Sequence, residues 1–264
     1  MNNTITIVQA RCGSTRFPGK ILMPILGESL LFRMLERLDF SELKGEIVVA
    51  TTENSQDDII QKICAKNKWN CYRGHETDLL DRHYQVAKKY GADTVLKIPS
   101  DCPLIDYRII DKVIAFYLSD DFDYVSNLHP ASFPDGNDVE VMSFETLEKA
   151  WLSADKDFEK EHTTPYIWER PEHFQIGNYV WDSDKDFSMS HRMTIDYPED
   201  YEFIKAVFEA LYIANPSFSM IDILYLLDNR PEIFKLNNHF AGVNWYRNHI
   251  EELKTINSTK TKVL

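Results

Sequence analysis

Apolar and polar positions follow two rhythms through the first half of the chain. Segments 4–9, 46–51, 70–73, 93–98 and 123–127 are short and rich in Ile, Val or aromatic residues, which predicts strands. Between them, apolar residues recur at intervals of three and four. In 30–40, Leu31, Met34, Leu35 and Leu38 fall on one stripe, and 57–66, 78–90 and 106–118 read in the same way, which predicts amphipathic helices. This alternation predicts an α/β fold, a mostly parallel sheet flanked by helices and joined by right-handed crossovers. Such sheets bind ligands beyond the carboxyl ends of their strands, so the loops there matter most.

After about residue 130 the pattern loosens. Segment 138–142 reads as a short strand, 144–153 and 161–170 as helices, 173–181 and 191–195 as strands, and 199–212 and 220–228 as helices. No internal repeat or low-complexity linker divides the chain. The expected organisation is one domain over 1–240 with a lobe of about 127–191 inserted, followed by a C-terminal helix and a frayed tail in 241–264. The lobe holds Phe133, Phe144, Trp151, Phe158, Tyr166, Trp168, Phe174, Tyr179 and Trp181. That is more aromatic surface than so small a unit needs for its own core, and either an interface or core packing accounts for it.

Composition narrows the classes. The 264 residues are 44% hydrophobic, enough for a sizeable core, and 29 Lys plus Arg stand against 42 Asp plus Glu, a formal charge of −13. An acidic surface repels polyanions, so a nucleic acid polymer is not an expected partner. Every uncharged stretch falls well short of the roughly 18 residues of a membrane span, and the N-terminal MNNTITIVQA has no signal-peptide pattern. A cytoplasmic protein without a membrane partner is expected. Cys12, Cys64, Cys71 and Cys102 are scattered, with no spacing that suits zinc.

Against that acidic background one segment stands apart. Directly after the first strand comes Gln9-Ala10-Arg11-Cys12-Gly13-Ser14-Thr15-Arg16-Phe17-Pro18-Gly19-Lys20, three cations within ten residues, interleaved with glycines and small hydroxyls. Glycines let backbone N–H groups approach a ligand closely, and hydroxyls add donors, so the segment predicts a polyphosphate cradle. It has neither the Gly-x-Gly-x-x-Gly fingerprint nor the Walker pattern, because Ile21 follows Gly19-Lys20. Dinucleotide-dependent dehydrogenases and P-loop kinases are therefore poor fits.

Two aspartates stand just beyond strands. Asp101 follows the fourth strand and Asp196 follows 192–195; either can hold Mg²⁺ together with substrate phosphates, or cap the helix that comes next. After the third strand, Asp78 and Arg82 can pair on one helix face, or Arg82 can turn back into the phosphate site.

Taken together, the motifs resemble one family. Gln9-Ala10-Arg11 with Ser14-Thr15-Arg16-Phe17-Pro18-Gly19-Lys20, Val49-Ala50-Thr51-Thr52, Arg73-Gly74 with Asp78 and Leu80-Asp81-Arg82, Asp101-Cys102-Pro103-Leu104-Ile105-Asp106, Asp135-Gly136 with Asp138-Val139-Glu140-Val141, and Glu161-His162-Thr163-Thr164-Pro165-Tyr166 are similar to the spore-coat polysaccharide (SpsF-type) cytidylyltransferases. CMP-KDO and CMP-sialic acid synthetases are their relatives. The resemblance implies a Rossmann-like sheet of the nucleotide-diphospho-sugar transferase type, with the inserted lobe serving dimerisation and the acceptor. It implies transfer of CMP from CTP, with Mg²⁺, to a sugar, expected to be acidic, and release of pyrophosphate. Arg11, Arg16, Lys20 and Asp101 would be the catalytic set. Gln9, Ala10, Arg11, Gly13, Ser14, Lys20, Thr51, Thr52, Arg73, Asp78 and Arg82 would hold the nucleotide, and Asp101 and Asp196 the metal. Asp138, Glu140, His162 and Arg192 would face the acceptor, and the chain would be a homodimer. This branch more often carries Met at the position of Cys12 and Leu at that of Phe17, differences that concern packing. A nucleotidyltransferase of another base preference, acting on a sugar phosphate or polyol, and a non-catalytic sugar-nucleotide binding protein are the alternatives.

Overall fold

A computed structural model describes residues 3–183 and 185–263. After β1 (Thr4–Gln9) the chain forms a small antiparallel hairpin, β2 (Pro24–Ile25) with β3 (Glu28–Ser29), and enters α1 (Leu30–Asp39). Strand and helix then alternate: β4 (Glu46–Thr52), α2 (Asp58–Asn67), β5 (Asn70–Gly74), α3 (Leu79–Tyr90), β6 (Thr94–Pro99) and α4 (Tyr107–Tyr117). The fifth expected strand is β7 (Tyr124–Ser126), and the stretch expected as a lobe contributes β8 (Glu140–Ser143), α5 (Phe144–Ser153), α6 (Asp157–His162), α7 (Pro165–Trp168) and β9 (Ile176–Asn178). Three helices follow, α8 (Pro198–Leu211), α9 (Met220–Asn229) and α10 (Pro231–Phe234).

Seven strands make one sheet in the order β5-β4-β1-β6-β8-β7-β9, in which β8 alone runs antiparallel to its neighbours. Ile7 of β1 lies between Val48 of β4 and Lys97 of β6. The chain steps outward from β1 to β4 and β5, then crosses back to place β6 on the other side of β1. The loops leaving β1 and β6 therefore diverge, and a crevice opens between them. Alternation along β1 divides the core between the two sheet faces. Val8 packs with Leu31, Met34, Ile110 and Phe203 on one face; Ile5 and Ile7 pack with Leu80, Val86 and Leu147 on the other.

Local chemistry sets the helix ends. Ser29 caps α1 by accepting from the Phe32 amide at 3.2 Å, and Asp106 caps α4 while also accepting from the Met220 amide at 2.7 Å, which locks the starts of α4 and α9 together. The helix expected over 161–170 is broken in two. Thr163 adopts a φ of 73°, and Pro165 starts α7, where its missing N–H costs nothing. The strand expected over 191–195 forms a single bridge between Asp135 and Arg192; its Met193 and Ile195 amides donate instead to Asp135 O and Asp101 O, at 2.6 and 2.9 Å. The strand expected over 173–181 shortens to β9.

The C-terminal helix expected within 241–264 is absent from the described residues. Trp245–Asn248 and Ser258–Lys260 form short 3-10 turns, and the segment packs back onto the lobe with Val243, Leu253 and Thr261 buried. Of the lobe aromatics, Phe133, Phe158, Trp168 and Phe174 are buried as well, which favours the core-packing account of them. All four cysteines are free thiols. No helix among the described residues is long and apolar enough to cross a membrane.

Candidate active site

The loop after β1 is held from below. Asp57 accepts from the Cys12 amide at 2.7 Å and from the Thr52 hydroxyl, while the Ser14 and Gly19 amides both donate to Cys12 O at 2.9 Å. Gly19 has a φ of 72°, a left-handed conformation that glycine adopts without a Cβ clash. This turn delivers Lys20 into the crevice. Its buried ammonium donates to Ile195 O at 2.5 Å and to Asp196 Oδ1 at 2.9 Å, and lies 3.5 Å from Asp101 Oδ2. Arg16 Nη2 also donates to Asp196 Oδ1, at 2.6 Å. Two carboxylates far apart in sequence thus converge on one lysine.

The electrostatics follow from that contact. Burial alone would raise the Asp196 carboxyl, but Lys20 and Arg16 outweigh it and hold it down at about 2. Burial likewise works against the Lys20 ammonium, and Asp101 and Asp196 overcome it, so lysine 20 stays charged. Asp101 differs from Asp196 in remaining open to the crevice, its side chain 35% exposed against 14%. The Asp101 backbone carbonyl accepts from Thr194 Oγ1 at 2.8 Å, fixing the end of β6 to the segment that carries Asp196.

A single cavity of about 780 Å³ extends from this loop into the lobe. Gln9, Ala10, Arg11, Ser14, Arg16, Lys20, Arg82, Asp101, Asp138, Glu140, His162 and Asp196 all line it. Arg82 is buried, with Nη1 donating to Ala50 O at 3.3 Å and Nη2 to Glu76 O at 3.2 Å; its Nε has no partner, and burial lowers its pKa to about 10. Arg11 reaches Glu76 O only at 3.5 Å, which leaves most of its donors for a ligand. The Gln9 side-chain oxygen is buried beside them without a partner.

Six of the expected residues do not line the cavity. Thr51 and Thr52 are buried at the end of β4, where the Thr52 hydroxyl donates to Asp57. Gly13 faces Gln56, whose Nε2 a Cβ there would meet at 3.1 Å. Arg73 braces the loop after β4, donating to Thr52 O at 2.9 Å, Asn54 O at 2.7 Å and Asp58 Oδ1 at 2.5 Å. Asp78 caps α3 by accepting from the Asp81 amide at 2.8 Å. Arg192 is fully enclosed: it donates to both oxygens of Asp200 at 2.8 and 3.0 Å, to Asp135 at 3.1 Å, to Asp196 at 3.2 Å and to Val243 O at 2.9 Å. It is a strut joining three parts of the wall rather than an acceptor ligand.

The far end of the cavity carries groups of its own. Lys97 and Glu140 form a buried ion pair, and the Tyr124 hydroxyl donates to Glu140 at 2.7 Å. Despite burial, Lys97 and these hydrogen bonds hold Glu140 below its ordinary pKa. Asp138 is pushed up to about 7 by burial and by Asp101. His162 stacks on Trp245 with centroids 3.8 Å apart, and burial lowers its pKa to about 3; His129 stacks on Trp168 at 4.3 Å and falls to about 4, again through burial. Both imidazoles are neutral at pH 7. The sequence reading missed Asp135, His129, Trp168, Trp245 and Tyr246 as wall residues. Asp135 stood inside a quoted motif, but the last two sit in a segment without periodicity.

Among the described residues no three potential ligands cluster around one point. Asp101 and Asp196 nevertheless fit a Mg²⁺ ion that takes most of its shell from phosphate oxygens and water, as that ion commonly does. Asp101 offers an open carboxylate at the mouth of the cradle, and Asp196 stands beside it in ionised form.

The family model for cytidylyltransferases matches residues 5–223. The chain belongs to the cytidylyltransferase family. An uncharacterised protein of Methanocaldococcus jannaschii is 34% identical over 89% of this chain and 94% of its own length. The spore coat polysaccharide biosynthesis protein SpsF of Bacillus subtilis is 30% identical over 88% of this chain and 97% of its own. Among solved structures, a cytidylyltransferase from Leptospira borgpetersenii superposes with a TM-score of 0.84 at 34% identity, covering 89% of this chain and 97% of the other. The fold is that of the nucleotide-diphospho-sugar transferases, and the chain is a nucleotidyltransferase.

Proposed function

We propose that this cytidylyltransferase moves CMP from CTP onto a sugar and releases pyrophosphate, supplying an activated sugar for a surface polysaccharide or glycan. The observation that carries this reading is the placement of Lys20 between Asp101 and Asp196 under a loop bearing Arg11 and Arg16. The polysaccharide context rests on the likeness to SpsF.

An acceptor oxygen would attack the α-phosphorus; the new O–P bond forms as the bond to pyrophosphate breaks. Such a transfer asks for positioning and for neutralisation of charge on the phosphate oxygens. On this reading Arg11 and Arg82, which line the cavity, would meet the nucleotide's phosphates, and Arg16 and Lys20 would offset the negative charge that builds on the leaving pyrophosphate. Asp101 and Asp196 would hold Mg²⁺, which when bound supplies further neutralisation and orients the phosphates. Incubation with CTP, Mg²⁺ and a sugar panel is expected to yield pyrophosphate and a CMP-sugar mass. No product with any acceptor, together with no CTP binding, sinks the proposal.

We also propose that two copies pair through the lobe, which leaves Leu152 and Val180 exposed and five of its nine named aromatics only half-buried. Light scattering at micromolar concentration is expected to give twice the chain mass; a monomer would contradict it.

A further inference from the structure

Two of the four thiols face one another across the turn between α2 and β5. Cys64 lies near the end of α2, where Lys68 adopts a φ of 63° and the Trp69 amide donates to Cys64 O at 3.0 Å. The chain then reverses into β5, and Cys71 becomes the register partner of Val49 on β4. Paired residues of neighbouring strands point to the same side of a sheet. Val49 belongs to the apolar cluster that holds Ile60 and Cys64 of α2, and Cys71 packs against that same cluster. The two side chains meet there, thiol hydrogen-bonded to thiol. Cys64 is fully enclosed and Cys71 half-buried, so one member of the pair is within reach of solvent.

The two sulfurs differ in character. The hydrogen bond from Cys64, with Arg73 and Lys89 nearby, favours the Cys71 thiolate and lowers its pKa; Cys64, the donor of that bond and buried behind it, is raised. An accessible thiolate beside a thiol that can resolve it is the arrangement of a redox pair. The other two cysteines are held as neutral thiols. Cys12 is pushed up to about 12 by burial and by its hydrogen bond to Asp57, and burial raises Cys102, which is fully enclosed.

The pair sits behind the active-site loop. Arg73, two residues further along β5, donates to Thr52 O at 2.9 Å and Asn54 O at 2.7 Å, while Cys64 and Cys71 lie outside the cavity. A bond between them would tie α2 to β5, the same two elements that Arg73 joins through Asp58, and leave the cavity unobstructed.

We infer that Cys64 and Cys71 form a reversible disulfide site, closed by a hydroperoxide and reopened by a thiol. The Cys71 sulfur attacks the hydroperoxide, whose O–O bond breaks, giving a sulfenic acid and water or an alcohol. The Cys64 sulfur then attacks the Cys71 sulfur, and the S–S bond forms as the sulfenic oxygen leaves as water. The thiol pair gives up two electrons and two protons, and the hydroperoxide takes them. This chemistry is separate from cytidylyl transfer.

The test exposes the full chain, reduced and freed of reductant, to a small excess of hydrogen peroxide at neutral pH. The intact mass is expected to fall by about 2 Da, the hydrogens lost on closing one disulfide. Titration after denaturation is expected to find two thiols in place of four, and peptide mapping without reductant to join Cys64 to Cys71. Dithiothreitol is expected to reverse all three changes, and Cys71→Ser to abolish the link. Four thiols persisting at a peroxide concentration that oxidises free dithiothreitol overturns the inference. So does a gain of oxygen mass without a link, a disulfide that uses Cys12 or Cys102 or joins two chains, or loss of two thiols in Cys71→Ser. None of these results bears on cytidylyl transfer, which pyrophosphate release reads separately.

Discussion

Lys20 joins a structural position to the chemical role proposed for it. It is nearly enclosed, yet its three contacts are a backbone carbonyl and two carboxylates at the mouth of the cavity. Replacing it by methionine keeps the apolar stem and removes the charge. Asp196 would still be held by Arg16 at 2.6 Å and Arg192 at 3.2 Å, so the fold is expected to survive with little change in melting temperature. Turnover is expected to fall on the order of 10²- to 10³-fold, the usual cost of removing one group that stabilises transition-state charge. A Lys20→Met enzyme with normal kcat/KM would show that the lysine only props up Asp196. Arg192 marks the limit of reading residues by type. An arginine beside a predicted strand resembles a ligand, and nothing in its neighbourhood announces that Asp135, Asp196 and Asp200 converge on it. Thr52 and Arg73 mislead in the same way: both serve the active-site loop from behind, at one remove from the cavity.

At the scale of elements, the half of the fold built from local alternation was legible and the half built from long-range wrapping was not. From β1 to α4 each expected strand and helix falls within one or two residues of its span, because a single period governs each segment and capping residues such as Ser29 and Asp106 mark the turns; the two-residue strands β2 and β3 are too short to show a period and were not expected. The failures share a cause. Over 191–195 the residues have strand character, but their amides are taken by Asp135 and Asp101 rather than by a ladder, so tertiary partners override propensity. Between α6 and α7, Pro165 was visible in the sequence and signalled the break that a continuous helix over 161–170 ignores. The segment after Ala241 lacks any period, and its order comes from Glu169, Arg192 and the aromatic stacking of Trp245. The cationic loop was readable because three cations in an acidic chain are conspicuous; the far end of the cavity was not, because it is assembled from stretches far apart in the sequence.

Across the whole molecule, a formal charge of −13 coexists with one cationic loop, so the field that repels an extended polyanion is locally reversed over a few residues. A compact triphosphate can use that reversal, whereas a nucleic acid polymer would have to lie against the acidic remainder. The cavity also sits where the two apolar clusters on opposite faces of the sheet meet the lobe and the C-terminal segment, so a ligand there touches parts that must separate on unfolding. CTP with Mg²⁺ should therefore stabilise the chain globally. At a hundredfold excess over its dissociation constant a ligand specific for the native state adds about 2.7 kcal/mol. For a chain of this size each kcal/mol moves the midpoint by about 2–4 °C, which gives an expected rise of roughly 5–10 °C. UTP, ATP and GTP at the same concentration are expected to give smaller rises, and single-stranded DNA none. Equal shifts for all four nucleotides would mean that the pocket reads the triphosphate alone, and a shift with DNA would mean that the acidic surface does not screen the loop as its charge requires.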